Sequence, residues 1–243
     1  MARAQAPKQR RPPTATKPPK RSARSTERVP LPVPDGLEEG ARVLALRDTD
    51  LARIVVEHGV PAFRRRPADF GTLLHIILEQ QLSIDIAAQL WLRLREKCRP
   101  LTPRRFLTLD DETLKRCGFT RQKIGYARGL AEAILARRFS LPALAALADD
   151  EAMAALTALR GFGRWSAEVF LLFAHGRPDI WPAEDLGLRI AVQWLKGLPE
   201  RPSGAYLRVL GEGWRPWRSV AACLLWQFYL KRLNRTAPVL PRR

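Results

Sequence analysis

The chain has 243 residues, enough to bury one sizeable core, and carries 42 Lys and Arg against 24 Asp and Glu, a formal charge of +18. That excess points to a polyanionic partner, nucleic acid ahead of an anionic membrane, since no apolar run approaches the roughly 20 residues that span a bilayer. Cys98, Cys117 and Cys223 form no Cys-x-x-Cys pair and His58, His75 and His175 lack ligand spacing, so no zinc ribbon or iron–sulfur cluster is suggested and a reducing compartment is.

Residues 1–34 combine Pro, Arg, Lys, Ala, Ser and Thr, with nine Lys and Arg against one Glu. A segment so poor in large apolar side chains cannot offset its ordering entropy and is read as a disordered basic arm. It serves either as a salt-sensitive DNA tether or as a solubilising extension. The body is placed at 35–235, with a basic tail over 236–243. Two short helices are expected at 37–46 and 50–58. The spacing of Phe70, Leu73, Leu74, Ile77 and Leu78 predicts a helix over 68–79 with one core face. After Gln80-Gln81-Leu82, Ser83 caps the next helix, whose buried side is Ala87, Ala88, Trp91 and Leu94. Short helices follow, capped by Asp110 or Asp111, by Thr120 and by Ser140. Arg121 and Lys123, after the Gly118 turn, are either weak phosphate contacts or surface charges. Trp91 and Trp194 are expected in the core. Later helices are expected at 150–159, 164–175, 183–196, 203–212 and 216–232. No period-2 run of Val, Ile or Thr persists, so the fold class is all-α.

The centre of the chain is Leu159-Arg-Gly-Phe-Gly-Arg-Trp-Ser-Ala167, followed by Pro182-Ala-Glu-Asp185. Two glycines bracketing Phe162 between helical patterns predict a tight hairpin, with Gly161 and Gly163 placed to take positive φ. The second helix then opens with free N–H groups, suited to a phosphate. Asp185 falls at a predicted helix start, where the dipole favours its ionised form.

These residues resemble the helix-hairpin-helix DNA glycosylase superfamily, and within it the 3-methyladenine DNA glycosylase II branch. Ile77-Leu-Glu-Gln-Gln-Leu-Ser83 and Trp214-Arg-Pro-Trp-Arg-Ser-Val-Ala-Ala222 through Trp226 support that branch, and the similarity covers about 40–232. The resemblance implies a two-lobed fold, one lobe built from both ends of the chain and one from the middle, here expected without the N-terminal β domain of larger members. It implies a catalytic carboxylate at Asp185 and a pocket tryptophan at Trp226, to which Trp181, Phe173 and Tyr229 are added as aromatic candidates. A hairpin grip on DNA through Gly161, Phe162, Gly163, Arg164, Trp165 and Ser166 follows from it, as does a wedge of Gln81 and Leu82 filling the hole left by an extruded base. A monovalent ion, Na or K, would bridge the carbonyls of Thr157, Leu159 and Phe162 to the phosphate.

Trp165 occupies the position where strand-cutting relatives carry the Schiff-base Lys, which implies a monofunctional enzyme. Val169 stands where the branch often has a tyrosine, so the pocket wall is smaller there and the resemblance leaves the substrate range open. The expected activity is hydrolysis of the N-glycosidic bond of alkylated purines such as 3-methyladenine and 7-methylguanine in base-excision repair. The partner would be double-stranded DNA with damaged bases, and the protein a monomer that engages no membrane, cytoplasmic and nucleoid-associated in a bacterium. A same-fold glycosylase for oxidised, deaminated or mismatched bases and a non-catalytic DNA-binding protein are the alternatives.

Overall fold

A computed structural model describes residues 33–235. The arm up to residue 32 and the tail from 236 lie outside the described residues. The described part is helical, in thirteen α-helices. They are α1 (Leu37–Arg47), α2 (Thr49–His58), α3 (Phe70–Glu79), α4 (Ile84–Lys97), α5 (Pro103–Leu107), α6 (Asp111–Arg116), α7 (Arg121–Leu135), α8 (Leu141–Ala146), α9 (Asp149–Thr157), α10 (Arg164–Phe170), α11 (Leu186–Leu195), α12 (Gly204–Glu212) and α13 (Arg218–Arg232). A π-helical turn, Leu171–His175, continues α10.

The starts follow the caps legible in sequence. Ser83, Asp110, Thr120 and Ser140 each accept a backbone N–H from the first turn they precede. Helices from the two ends of the chain pack on one another, α13 against α1, α2 and α11. Those from the middle do likewise, α3 against α4, α7 and α10, and α10 against α9. The apolar stripe of α3 is fully covered, Leu73, Leu74, Ile77 and Leu78 all being inaccessible.

One boundary differs from expectation. Val33, assigned to the arm, is buried, and its N–H donates to the Phe63 carbonyl. An apolar side chain with a pocket to enter is ordered regardless of the polar company upstream. Trp91 is buried as expected, whereas Trp194 is half-buried and stacks on Tyr229 at 5.7 Å.

Candidate active site

The hairpin joins α9 to α10. Gly161 has φ +90°, and a Cβ there would lie 2.2 Å from the Tyr126 ring, so both conformation and space require glycine. Gly163 differs from expectation: it is extended (φ −85°, ψ 178°) and caps α10 with no side-chain acceptor. The turn therefore needs one left-handed residue, not two. With no cap oxygen, the first N–H groups of α10 are left for an outside acceptor. Phe162 is buried, so its share of the hairpin surface is backbone. Ser166 is buried too, and its Oγ accepts from Gln80 Nε2 at 3.1 Å, so this hydroxyl points inward and makes no surface for DNA. Arg164 is exposed and paired along the helix with Glu168 at 2.8 Å. Burial pushes the Glu168 carboxyl up to about 7 against the opposing pull of Arg164, and its Oε2 has no hydrogen-bond partner.

The loop from the π-turn to Asp185 is tied down at several points. Ser219 Oγ accepts the Ile180 N–H at 2.8 Å and approaches the Arg177 carbonyl at 2.7 Å. Arg218 grips Asp179 at 2.8 Å. Trp181 donates its indole N–H to the Leu207 carbonyl at 2.8 Å and is buried against Trp214. That burial removes Trp181 from the base pocket, since its ring faces core. The chain then turns through Pro182, whose carbonyl accepts the Asp185 N–H, and Asp185 opens α11.

Asp185 is half-buried and holds three neutral donors. Oδ1 accepts from Leu188 N and from Trp226 Nε1, both at 2.9 Å, and Oδ2 accepts from Trp165 Nε1 at 2.8 Å. The carboxylate is thus fixed in rotamer by α10, α11 and α13 together, and among the described residues no Lys or Arg pairs with it. Neighbouring Glu184 is exposed and turned to Arg208 of α12 instead.

Two aromatic rows flank the carboxylate. Trp226 stacks on Phe173 at 5.4 Å, and Phe173 also carries the Arg66 guanidinium at 5.2 Å and the edge of Phe63. Phe173 therefore backs Trp226. Tyr229 lies on Trp194, over which Arg232 sits at 5.3 Å. Between Trp226 and Tyr229 is Gly187, whose missing Cβ would be 3.5 Å from each ring and 3.2 Å from Asp185 Oδ1. Gly187 was not anticipated, although a glycine two residues past a capping Asp is a readable sign of a crowded helix start.

The wedge pair Gln81 and Leu82 is exposed on the α3–α4 turn. Arg121 is exposed at the start of α7. Lys123 is buried instead, donating to the Leu78 and Gln80 carbonyls at 2.8 and 2.7 Å, and desolvation lowers its pKa. It holds the end of α3 and is not available to a phosphate. The cleft of about 540 Å³ bordered by Arg65, His175 and Arg177 is separate from Asp185.

A family model described as the HhH-GPD superfamily of base excision DNA repair proteins matches residues 74–216. The chain belongs to this superfamily. The matched span holds the α3–α4 turn, the hairpin and Asp185, while Trp226 lies beyond it. Among HhH-GPD relatives, the DNA-3-methyladenine glycosylase 1 of Schizosaccharomyces pombe is 34% identical over 143 residues, covering 58% of this chain and 62% of the relative. The DNA-3-methyladenine glycosylase 2 of Escherichia coli is 29% identical over 162 residues, covering 62% and 54%. The matches thus span roughly three fifths of those relatives' length. A solved structure of the S. pombe 3-methyladenine DNA glycosylase with abasic DNA superposes with a TM-score of 0.71 at 27% identity, over 78% of this chain and 95% of that one. A Bacillus halodurans DNA-3-methyladenine glycosidase gives 0.68 at 28%, over 80% and 91%.

Proposed function

We propose that this protein is a monofunctional DNA glycosylase that hydrolyses the N-glycosidic bond of alkylated purines in duplex DNA. The observation that carries the proposal is the Asp185 carboxylate, which is oriented by three neutral donors and has no ion-pair partner among the described residues. Departure of the base leaves positive charge on the sugar. A carboxylate about 4 Å away, at an effective dielectric near 20, is worth roughly 4 kcal/mol. Realised only in the transition state, that is about three decades of rate. Oδ1 is filled by Leu188 and Trp226, so the Oδ2 lone pair not spent on Trp165 orients the attacking water.

Alkylation at N3 or N7 makes a purine cationic, and indole and phenol faces attract such a base. Trp226 and Tyr229 supply these faces, one on either side of Gly187. Trp165 brings no amine to the sugar; its N–H is spent on Asp185, so no Schiff base forms and the product is an intact abasic site. The α10 N–H groups and Arg164 grip a backbone phosphate, and Gln81 and Leu82 fill the vacated stack.

The carbonyls of Thr157, Leu159 and Phe162 would hold a Na or K ion. Thr157 ends α9, where carbonyls lack helical partners, and Leu159 receives one N–H, from Phe162, leaving a lone pair. No cluster of three metal-binding side chains exists among the described residues to favour a divalent ion. When bound, such an ion adds positive charge beside the phosphate.

Incubation with methylated duplex DNA tests the proposal. Free 3-methyladenine or 7-methylguanine is expected from the wild type and none above background from Asp185→Asn, with no adduct trapped by borohydride. Equal release by the two proteins, or a trapped adduct, overturns it.

A further inference from the structure

The α3–α4 turn is held in a costly shape. Gln80 has φ −52° and ψ 126°, Gln81 has φ 58°, and the Leu82 N–H returns to the Glu79 carbonyl at 3.1 Å. This is a type II turn with a non-glycine residue where glycine is favoured. A flip of the Gln80–Gln81 peptide would relieve Gln81. It would also pull the Gln80 carbonyl away from the Lys123 ammonium, which grips it at 2.7 Å and is itself buried. The side chain of Gln80 makes a second tie. Its Nε2 donates to the Gly161 carbonyl at 2.8 Å and to Ser166 Oγ at 3.1 Å. One residue is thus bonded through its backbone to α7 and through its amide to both sides of the hairpin.

We propose that Gln80 is a positioning residue that couples the hairpin to the wedge turn, so that the hairpin's hold on a phosphate sets the register and depth at which Gln81 and Leu82 enter the duplex. This rests on the reading of the hairpin and turn given above. Gln81 itself stays exposed and free to meet bases, because the residue before it carries the attachments. The positive φ of Gln81 is the strain that this attachment sustains.

Insertion can be read without turnover. The full chain is bound to a duplex holding a tetrahydrofuran abasic analogue beside 2-aminopurine, whose fluorescence rises when the wedge unstacks it. Binding to an undamaged duplex of the same length is measured by anisotropy. Gln80→Met keeps the side-chain length and removes the donors. Its insertion equilibrium is expected to fall about fivefold to tenfold, the effect of one to two hydrogen bonds, with undamaged-duplex affinity unchanged. Ser166→Ala, which removes one acceptor, is expected to fall about twofold to threefold by the same reasoning, and serves if Gln80→Met does not fold. Insertion equal to wild type in both folded variants overturns the coupling, as does a parallel loss on undamaged DNA. A wild type that inserts but releases no methylated base sinks the glycosylase activity and leaves the coupling standing.

Discussion

Asp185→Asn changes more than charge. The carboxylate accepts three hydrogen bonds, two at Oδ1 and one at Oδ2. An amide has one acceptor oxygen and one donor nitrogen. With its oxygen in place of Oδ1 it keeps Leu188 and Trp226 satisfied. Its NH2 then opposes the Trp165 N–H across 2.8 Å, donor to donor. The reverse orientation opposes two donors and is worse. Leaving one partly buried donor unmatched costs about 2 kcal/mol, and at 2–4 °C per kcal/mol for a body of this size the melting temperature should drop by about 4–8 °C. Trp165→Phe alone should cost about 1 kcal/mol and keep measurable base release, since the carboxylate survives. The double variant has no opposed donor, so it should melt close to Trp165→Phe and above Asp185→Asn, yet remain as inactive as Asp185→Asn. Thermal denaturation with base release from methylated duplex DNA, run on all four proteins, completes the cycle. Base release by Asp185→Asn within about tenfold of wild type would refute the catalytic role, being far short of three decades. Failure of the double variant to regain stability would refute the hydrogen-bond assignment.

Gly161→Ala must adopt a left-handed φ and drive a Cβ into the Tyr126 ring, so a loss of about 3 kcal/mol is expected, seen as a melting temperature lower by roughly 6–12 °C and weaker duplex binding. Gly163→Ala has open space and extended backbone, and should change stability by less than about 1 kcal/mol. Glu168 holds its proton up to about pH 7 when folded but releases it near 4.5 when unfolded, so its contribution to stability falls as pH rises through that window. Glu168→Gln should therefore match wild type near pH 4.5 and exceed it by about 3 kcal/mol at pH 8, read from melting temperatures at both values. His75 has the opposite slope: burial lowers it to about 4, so its contribution is lost as pH falls from 6.5. His75→Phe should lessen the loss of melting temperature between pH 6.5 and 4.

The sequence disclosed what local chemistry encodes. Gly-x-Gly between helical stripes fixed the place of the hairpin, and capping residues located most helix starts to within a residue or two. Asp185 could be picked over Glu184 only through the family pattern; the structure adds the physical distinction that Glu184 is turned to Arg208. Lys123 was misjudged because charge outweighed position: it stands i, i+4, i+7 with Ala127 and Leu130, the buried stripe of α7. Trp181 sits in a loop, where no periodicity announces a core side chain. Gln80 was legible only as a turn residue, since its partner Gly161 lies 81 positions away and nothing local specifies a contact of that range.

Two of the seven tryptophans end on the same carboxylate. Their excited states will sense any change of charge or of water at that oxygen pair. The protein therefore carries its own optical gauge of the Asp185 site, and titrating it with abasic duplex while following indole emission would register occupancy with no label attached.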